Sequence, residues 1–376
     1  MKKVGLYIHI PYCVSKCTYC SFISFAGLES TMQEYLSALK KEIVLSAKKY
    51  IDIEISTIYI GGGTPSYFIK NGILEIANCI KENFKLCDDV EFTAEANPNS
   101  MTQKKAEEFV KAGINRVSLG LQTANESLLK LLGRKHSVQN FIDDIAMLKN
   151  YGITNLSADI MLGLPTQIIG DVYSTLDLLL DQNIKHISAY GLMIEEGTLL
   201  EKSIRSGLLN ECNEDLAVEM YDCTFKYLKK AGFNRYEVSN FAKYGFECKH
   251  NVNYWDRGEY IGLGVAAHSF VNGLRIENTS SLNDYITAIN KGEFANINTT
   301  LVNEEDAKTE YIMLKLRKTE GFFIKDYNKI FNADFVKERI SAIKKLKKFD
   351  LIEINESIKV RSEKFNVLNA IILELV

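Results

Sequence analysis

Three of the eight cysteines lie within eight residues of one another, at Cys13, Cys17 and Cys20. In a long chain kept in a reducing compartment, such a group indicates metal binding or catalysis rather than a disulfide scaffold. Thiolates at this spacing can surround a [4Fe–4S] cluster. Such a cluster usually takes four cysteines, so three would leave one iron open to an added ligand. Zinc is an alternative, but its fourth ligand would have to be His9, with its side chain turned toward the loop.

The few prolines of the chain mark further loops where chemistry could occur. Each follows a strand-like run, and proline is tolerated just beyond a strand but excluded from a central one. The four are Pro11, Pro65, Pro98 and Pro165. In a (β/α) barrel the loops after the strands form the working face. We therefore expect Cys13, the glycine-rich segment 61–65, residues 95–98 and residues 162–165 to converge on one mouth.

The elements that must position these loops alternate between strand-like and helix-like segments over the first 240 residues. The strand-like runs are Val4–Ile10, Thr57–Ile60, Val90–Ala94, Arg116–Leu121, Leu156–Met161 and His186–Tyr190. Strand–helix alternation implies parallel strands with right-handed crossovers. Six units without a dinucleotide-binding glycine fingerprint predict an α/β fold with a partial, TIM-like (β/α)6 barrel.

Amphipathic segments between these runs predict the crossover helices. They are Ser30–Lys49, Asn71–Phe84, Thr102–Ala112, Val138–Tyr151 and Gly170–Gln182. The first begins with Ser30-x-x-Gln33, a pattern that predicts a capping box at its N-terminus.

The pattern changes after residue 290, so we predict a barrel domain at 1–290 and a smaller domain at 291–376. The smaller domain combines predicted helices with a hairpin, as a winged-helix arrangement does. Its predicted elements are helices at 303–318, 324–331, 333–348 and 366–375, and strands at 351–354 and 358–360. The lysines at 344–348 are flanked by Glu338 and Asp350, so a solvated helix face is favoured over a DNA-binding one.

The composition is that of an ordinary soluble protein, with 46% apolar and 25% charged residues in 376. Lysine and arginine number 45 against 48 acidic residues, a net charge of −3 that provides no global basic field for nucleic acid. No apolar run reaches the roughly 18 residues of a membrane helix, so membrane contact would be peripheral at most. The first residues lack a signal-length apolar stretch, and we expect a cytoplasmic protein.

Longer sequence motifs around the cysteines resemble a known superfamily. YIHIPYCVSKCTYC resembles the cluster motif of the radical S-adenosylmethionine (SAM) enzymes, in which the amino acid moiety of SAM chelates the open iron. With GGGTPS, EANP and GLPTQ, the resemblance narrows to the subfamily of oxygen-independent coproporphyrinogen III oxidases and their relatives, over nearly the whole chain. It implies a [4Fe–4S] cluster on the three cysteines and at least one SAM.

The same resemblance assigns cofactor contacts to residues at the ends of the first three strands. They are Tyr7, Gly62, Gly63, Thr64 and Glu95. Bare glycine backbone can approach a polar ligand closely, and a buried carboxylate needs a polar partner. A plain glycine turn and a core tyrosine are the alternatives.

Three residues near the fourth and fifth strands match positions that bind a second SAM in the oxidases. They are Gln122, Arg134 and Asp159. They could hold a second SAM here, or Arg134 and Asp159 could form a structural ion pair, so the number of bound SAM molecules stays open between one and two.

Two features favour one branch of the subfamily. The oxidases carry another cysteine two places after the third ligand, where this chain has Phe22. Residues 250–255 match the HNxxYW motif of the HemW-type heme chaperones. Imidazole can ligate heme iron and aromatic groups suit a porphyrin face, so His250 is a heme-contact candidate with Tyr254 and Trp255 as packing surface. A hydrogen-bonded core histidine is the alternative, and His268 could be structural or contact cofactor or heme.

The resemblance therefore implies a heme chaperone, which carries heme as cargo and transfers it to haem-requiring acceptor proteins. A homodimer is compatible with this role, and nucleic acid is not expected as a partner. The alternative is an oxygen-independent coproporphyrinogen III oxidase, or another radical SAM enzyme that acts on a tetrapyrrole.

Overall fold

A sheet of twelve strands organises the chain up to Leu301 in the computed structural model, which describes all 376 residues. The strands, in chain order, are β1 Lys2–Ile10, β2 Ile53–Gly62, β3 Leu86–Ala96, β4 Arg116–Gln122, β5 Asn155–Leu162, β6 His186–Gly191, β7 Asn234–Arg235, β8 Asn240–Ala242, β9 Tyr260–Leu263, β10 His268–Val271, β11 Leu274–Asn278 and β12 Asn296–Leu301. Strands β1 to β6 lie side by side in chain order and pair in parallel. All six predicted strands and the α/β class are confirmed.

The sheet curves as a partial barrel and does not close on itself. Its spatial order is β12-β11-β10-β9-β1-β2-β3-β4-β5-β6-β8-β7, so β12 and β7 are the two edges. Strand β9 adds a seventh parallel strand beside β1, and short antiparallel strands extend both sides. The working loops follow the carboxyl ends of the parallel strands, as in closed barrels of this type.

Helices connect the strands of this sheet. They are α1 Met32–Lys49, α2 Gly72–Asn83, α3 Gln103–Ala112, α4 Glu126–Leu131, α5 Val138–Asn150, α6 Ile169–Asp181, α7 Leu199–Arg205, α8 Glu214–Lys230, α9 Lys249–Trp255 and α10 Leu282–Asn290. The apolar faces of the crossover helices and both faces of the strands form a core of 59 buried residues. Every residue of β4 is buried, as is typical of a parallel strand covered on both sides.

The predicted capping box at the start of α1 is wrong. The helix begins after Thr31, which makes no side-chain capping hydrogen bond. Ser30 lies in a preceding turn of 3-10 helix, Glu29–Thr31. The Thr31 hydroxyl is instead 2.9 Å from the Tyr12 hydroxyl, so a contact with the loop after β1 replaces the local cap.

A second, smaller core follows the sheet and contains 16 buried residues between Tyr311 and Leu375. Its elements are α11 Glu304–Lys315, β13 Phe322–Phe323, α12 Ile324–Phe331, α13 Phe335–Glu338, α14 Ile340–Lys348, β14 Ile352–Ile354, β15 Ser357–Val360 and α15 Leu368–Leu375. The three strands form an antiparallel sheet in the order β13-β15-β14. The predicted helix at 333–348 is divided at Arg339, whose φ of −112° interrupts the helix.

Strand β12 lies beyond the predicted domain boundary at residue 290 but pairs with β11 in the large sheet. All six of its residues are exposed, so the strand lacks the apolar alternation that reveals a strand in a sequence. We propose that the division between the two units lies near residue 302. None of the helices has both the length and the apolar character that crossing a bilayer requires.

Candidate functional site

The three clustered cysteines line one cavity of about 350 Å³ at the carboxyl ends of the parallel strands, here called the cluster cavity. All three are free, half-buried thiols. The Thr64 hydroxyl donates to Cys13 Sγ at 3.5 Å, and Arg134 Nη1 donates to Cys17 Sγ at 3.6 Å. Burial raises the pKa of the Cys13 and Cys20 thiols. The protein therefore presents three thiols and a cationic donor to a single space.

These residues fit a multi-iron cluster better than a zinc ion. No three His, Cys, Asp or Glu side chains come close enough together to hold a single metal ion. The thiols instead surround a shared space, and in a four-iron cluster each cysteine binds a different iron. His9 does not supply a fourth zinc ligand, because its ring nitrogens are hydrogen-bonded to the Tyr7 hydroxyl and the Ile23 carbonyl, each at 2.9 Å.

The glycine segment after β2 forms one wall of the cluster cavity. Gly62 has a φ of +111°, and a Cβ atom there would collide with the His9 ring. A Cβ on Gly63 would lie 2.7 Å from the Tyr12 carbonyl oxygen. Close packing against the first strand therefore requires both glycines, in addition to any approach of a ligand to their backbone.

Glu95, at the end of β3, is held in place by two donors. The Tyr59 hydroxyl donates to Oε1 at 2.9 Å and the Gly62 amide donates to Oε2 at 3.1 Å. Burial, with a smaller contribution from the nearby Asp159 charge, raises the pKa of the Glu95 carboxyl to about 7. Two hydrogen-bond donors thus hold a carboxyl whose pKa is raised toward neutrality.

Gln122, Arg134 and Asp159 all line the cluster cavity. Arg134 Nη2 donates to Asn97 Oδ1 at 2.7 Å and to the Gly120 carbonyl at 2.5 Å. Asp159 accepts from the Ser118 hydroxyl at 3.2 Å, and burial raises its pKa. The structural Arg134–Asp159 ion pair considered from the sequence is therefore wrong. Gln122 adopts a left-handed φ of +71°, a strained conformation of the kind found at functional sites.

A second cavity, of about 570 Å³, adjoins the first and is here called the aromatic cavity. Its lining includes Phe22, Tyr254, Tyr260, Phe270, His268, Arg257 and Arg275. Phe22, Gly62 and Glu95 line both cavities, so these three residues form the wall between them. Tyr7, expected from the sequence to contact the cofactor, lies in the aromatic cavity rather than the cluster cavity.

His250 is a core histidine in this structure. It is fully buried, with Nδ1 2.8 Å from the Thr57 hydroxyl and Nε2 2.9 Å from the Tyr254 hydroxyl. Burial, with the charge of Arg116 as a smaller cause, lowers the pKa of His250 to about 3, so the ring is neutral. Axial ligation of heme iron would require one of these hydrogen bonds to break. The geometry favours the hydrogen-bonded alternative over the heme-ligand interpretation.

The other two proposed heme contacts of the HNxxYW motif, Tyr254 and Trp255, lie in different surroundings. Tyr254 lines the aromatic cavity, whereas Trp255 lines neither cavity. The Arg317 guanidinium, which belongs to the C-terminal unit, lies 5.8 Å from the centre of the Trp255 ring. Helix α9 is attached to the sheet by Glu91, whose carboxylate accepts from the amides of Lys249 and His250, each at 3.1 Å. The motif thus joins the sheet to the C-terminal unit.

Sequence reasoning missed several lining residues of the cluster cavity. Arg116 is the clearest case, since only 2% of it is exposed and its Nε atom has no hydrogen-bond partner. An arginine at the first position of a strand looks like a surface residue, and the sequence contains no signal to the contrary. Other missed lining residues include Tyr59, Ser118, Ser188, Tyr190 and Asn251.

Comparison with known proteins supports this description. The model of the radical SAM superfamily matches residues 7–179. The chain is 32% identical to the heme chaperone HemW of Bacillus subtilis, over 93% of each protein. It is 34% identical to HemW of Lactococcus lactis, over 89% of this chain and 87% of that protein.

Among solved structures, the fold is similar to coproporphyrinogen III oxidase HemN from Escherichia coli, a radical SAM enzyme. The TM-score is 0.89 and covers all of this chain and 90% of that one. At 20% identity this likeness establishes the fold alone. The extended identity to HemW proteins is closer, and the chain belongs to the HemW heme chaperone family of the radical SAM superfamily.

Proposed function

We propose that this protein is a heme chaperone, which binds heme and passes it to haem-requiring acceptor proteins. The observation that carries the proposal is the pair of adjoining cavities. One is lined by three cysteines, and the other is an aromatic-lined space large enough for a cofactor-sized ligand. The family of the chain supports the same role.

Within this proposal, Cys13, Cys17 and Cys20 hold a [4Fe–4S] cluster. The cluster and a bound SAM would together supply one-electron and radical chemistry there. Arg134 Nη1 donates to Cys17 Sγ and places a positive charge beside this proposed cluster ligand. Glu95 and the backbone of Gly62 and Gly63, which line the same cavity, would orient SAM.

We propose a single SAM in this cavity. Gln122, Arg134 and Asp159 line the same space of about 350 Å³ as the cysteines and do not form a second one. This volume lies at the low end of the roughly 300–1,000 Å³ found for pockets that hold one ligand. The three residues would therefore contact the same SAM that the glycine segment holds.

The alternative function is coproporphyrinogen III oxidation. The HemN-like fold and the open-iron cysteine set are compatible with it. Phe22 argues against it, because an apolar ring stands where the oxidases carry a cysteine, and this ring lines both cavities. The same Phe22 ring would face the substrate in any other radical reaction on a tetrapyrrole.

The test is an anaerobic titration of the cluster-reconstituted protein with hemin, followed by mixing with a haem-free acceptor. We expect a stoichiometric shift of the Soret band and then its transfer to the acceptor. A parallel assay supplies coproporphyrinogen III, SAM and a reductant. Absence of a stoichiometric Soret shift, or formation of protoporphyrinogen at turnover rates, would contradict the proposal.

The proposed role also bears on where the protein acts and whether it forms a dimer. We propose a cytoplasmic protein that meets its acceptors directly, because all eight cysteines are free and three of them must stay reduced to bind iron. A homodimer stays a prediction, to be checked by light scattering with and without SAM.

A further inference from the structure

The proposed function requires a heme site, and the position of that site can be inferred from the five histidines of the chain. Four of them are buried and already hydrogen-bonded: His9, His136, His186 and His250. His268 differs, since it is exposed, makes no side-chain hydrogen bond and lines the aromatic cavity. It is the one imidazole whose nitrogens are free to meet an iron atom.

His268 is held on a rigid element. It is the first residue of β10, paired with Glu277 of β11, and its backbone packs so closely against Gly262 that a Cβ there would collide with its carbonyl. A ligand on a strand is positioned more accurately than one on a loop. The imidazole is therefore fixed at the rim of the cavity while its ring stays accessible.

Two arginines line the same cavity and carry more positive charge than their partner neutralises. Arg257 Nε donates to Glu310 Oε2 at 2.9 Å, and Arg275 Nη2 lies 2.8 Å from Glu310 Oε1. The single negative charge of Glu310 thus faces two guanidinium groups, so this group of three side chains has a net charge of +1. Both guanidiniums also stack over the Phe270 ring, at 4.8 and 5.0 Å from its centre.

These features match the chemistry of heme. Heme presents an iron that accepts an imidazole, a flat apolar ring and two carboxylates at one edge. Guanidinium groups pair with carboxylates in two-point hydrogen bonds. The cavity volume of about 570 Å³ lies within the range for bound cofactors. Phe22, which is 68% exposed, would be covered by a bound ring.

We propose that heme binds in the aromatic cavity, with His268 as an axial ligand and with Arg257 and Arg275 as partners of the propionates. This inference rests on the proposed function and adds the location of the cargo. The iron ligand is then outside the HNxxYW motif, and the cargo lies against the wall formed by Phe22, Gly62 and Glu95.

The first experiment titrates cluster-reconstituted full-length protein with hemin and compares His268→Ala with the wild type. We expect at least tenfold weaker binding and loss of the imidazole-ligated spectrum, which added free imidazole should restore. Glu277→Ala is the matched control, because this residue pairs with His268 but does not line the cavity. Unchanged cluster absorbance and melting temperature would show that the variant is folded.

The second experiment tests the arginines with two probes, hemin and its dimethyl ester. Arg275→Met should weaken hemin binding about three- to tenfold and leave binding of the ester unchanged, since the ester lacks the carboxylates. Arg317→Met is the control, because this arginine lies over Trp255 and lines neither cavity.

The outcomes separate the two proposals. If the wild type binds hemin while His268→Ala keeps the same affinity and spectrum, the location is wrong and the chaperone function stands. If Arg275→Met weakens hemin and ester equally, the propionate assignment is wrong. If the wild type binds no hemin, the proposed function fails, and the inferred site fails with it.

Discussion

The cluster cavity and the aromatic cavity differ in how far their polar groups are already paired. In the cluster cavity, Arg134, Glu95 and Asp159 each make hydrogen bonds to neighbouring protein groups. In the aromatic cavity, His268 makes none, and two guanidiniums share the carboxylate of Glu310.

In the proposed function, this difference would separate a site for a resident cofactor from a site for a transient cargo. Hydrogen bonds hold Arg134, Glu95 and Asp159 in position before a ligand arrives, which favours well-oriented binding. The free imidazole of His268 can bind and release a ligand without breaking a hydrogen bond within the protein. The four predictions below test this separation between the two cavities.

The largest expected effect is at the cysteines. Cys17→Ala removes one of the three proposed cluster ligands and should abolish cluster assembly, measured as bound iron after anaerobic reconstitution. Because the thiol does not line the aromatic cavity, hemin should still bind within about threefold of the wild-type affinity. Cys212→Ala, outside both cavities, is the control. A full cluster in Cys17→Ala would contradict the ligand assignment.

The next effect concerns the fold rather than either ligand. His250→Ala would leave the hydroxyls of Thr57 and Tyr254 without their buried partner and would open a cavity. We expect the free energy of unfolding to fall by about 3 kcal/mol, measured by urea denaturation. His268→Ala is the matched control and should change it by less than about 0.5 kcal/mol.

The spectrum of bound heme also distinguishes His250→Ala from His268→Ala. At temperatures where His250→Ala is folded, it should retain the imidazole-ligated heme spectrum that His268→Ala loses. If His250→Ala were as stable as the wild type and lost that spectrum, the roles of the two histidines would be reversed.

A smaller effect is expected at the shared wall. Phe22→Cys replaces the ring that lines both cavities and removes apolar surface that heme would cover. We expect about tenfold weaker hemin binding, equivalent to about 1.4 kcal/mol, with the same iron content of the cluster. Phe323→Cys, at an exposed phenylalanine of the C-terminal unit, is the control. Gain of porphyrinogen oxidation by Phe22→Cys would show that this position alone separates the two functions.

The smallest effect depends on pH. Burial raises the pKa of Glu95 from 4.5 to about 7, so the folded protein keeps a proton there that the unfolded chain releases at lower pH. The stability from this group is present below about pH 4.5 and is lost as pH rises through about 7. Glu95→Gln imitates the protonated form and should be more stable than the wild type at pH 8, but not at pH 5.

We expect a difference of about 1 kcal/mol between the two pH values, below the ceiling of roughly 3 kcal/mol that the shift permits. Melting temperatures of both proteins at pH 5 and pH 8 would measure it. A variant that is less stable than the wild type by the same amount at both values would show that Glu95 is ionised throughout.

The sequence predicts six of the seven parallel strands and the cysteine loop, because both depend on local patterns. Apolar runs ended by proline mark the strands, and cysteine spacing marks the cluster. Strand β12 is not predicted because all of its residues are exposed at an edge, and its two apolar residues, Ile297 and Leu301, do not alternate with polar ones. Its pairing with β11 depends on backbone hydrogen bonds, to which side-chain types give little guide.

The roles of His250 and His268 could not be separated from the sequence for a different reason. The His250 ring is hydrogen-bonded to Thr57, which lies 193 residues earlier in the chain. This hydrogen bond therefore depends on how α9 packs against β2. Arg116 was missed because its burial depends on both neighbouring strands. The residue types indicate which chemistry is available, and long-range packing decides which groups remain free to perform it.

The central claim is that cofactor and cargo occupy separate, adjoining cavities at the same time. The direct measurement is an anaerobic titration of the cluster-bearing protein with hemin in the presence of saturating, isotopically labelled SAM, followed by rapid gel filtration. We predict one heme bound per chain with the cluster intact and labelled SAM retained in equal amount. Displacement of SAM by hemin in proportion to the heme bound would show that the two compete for one site, and would contradict the claim.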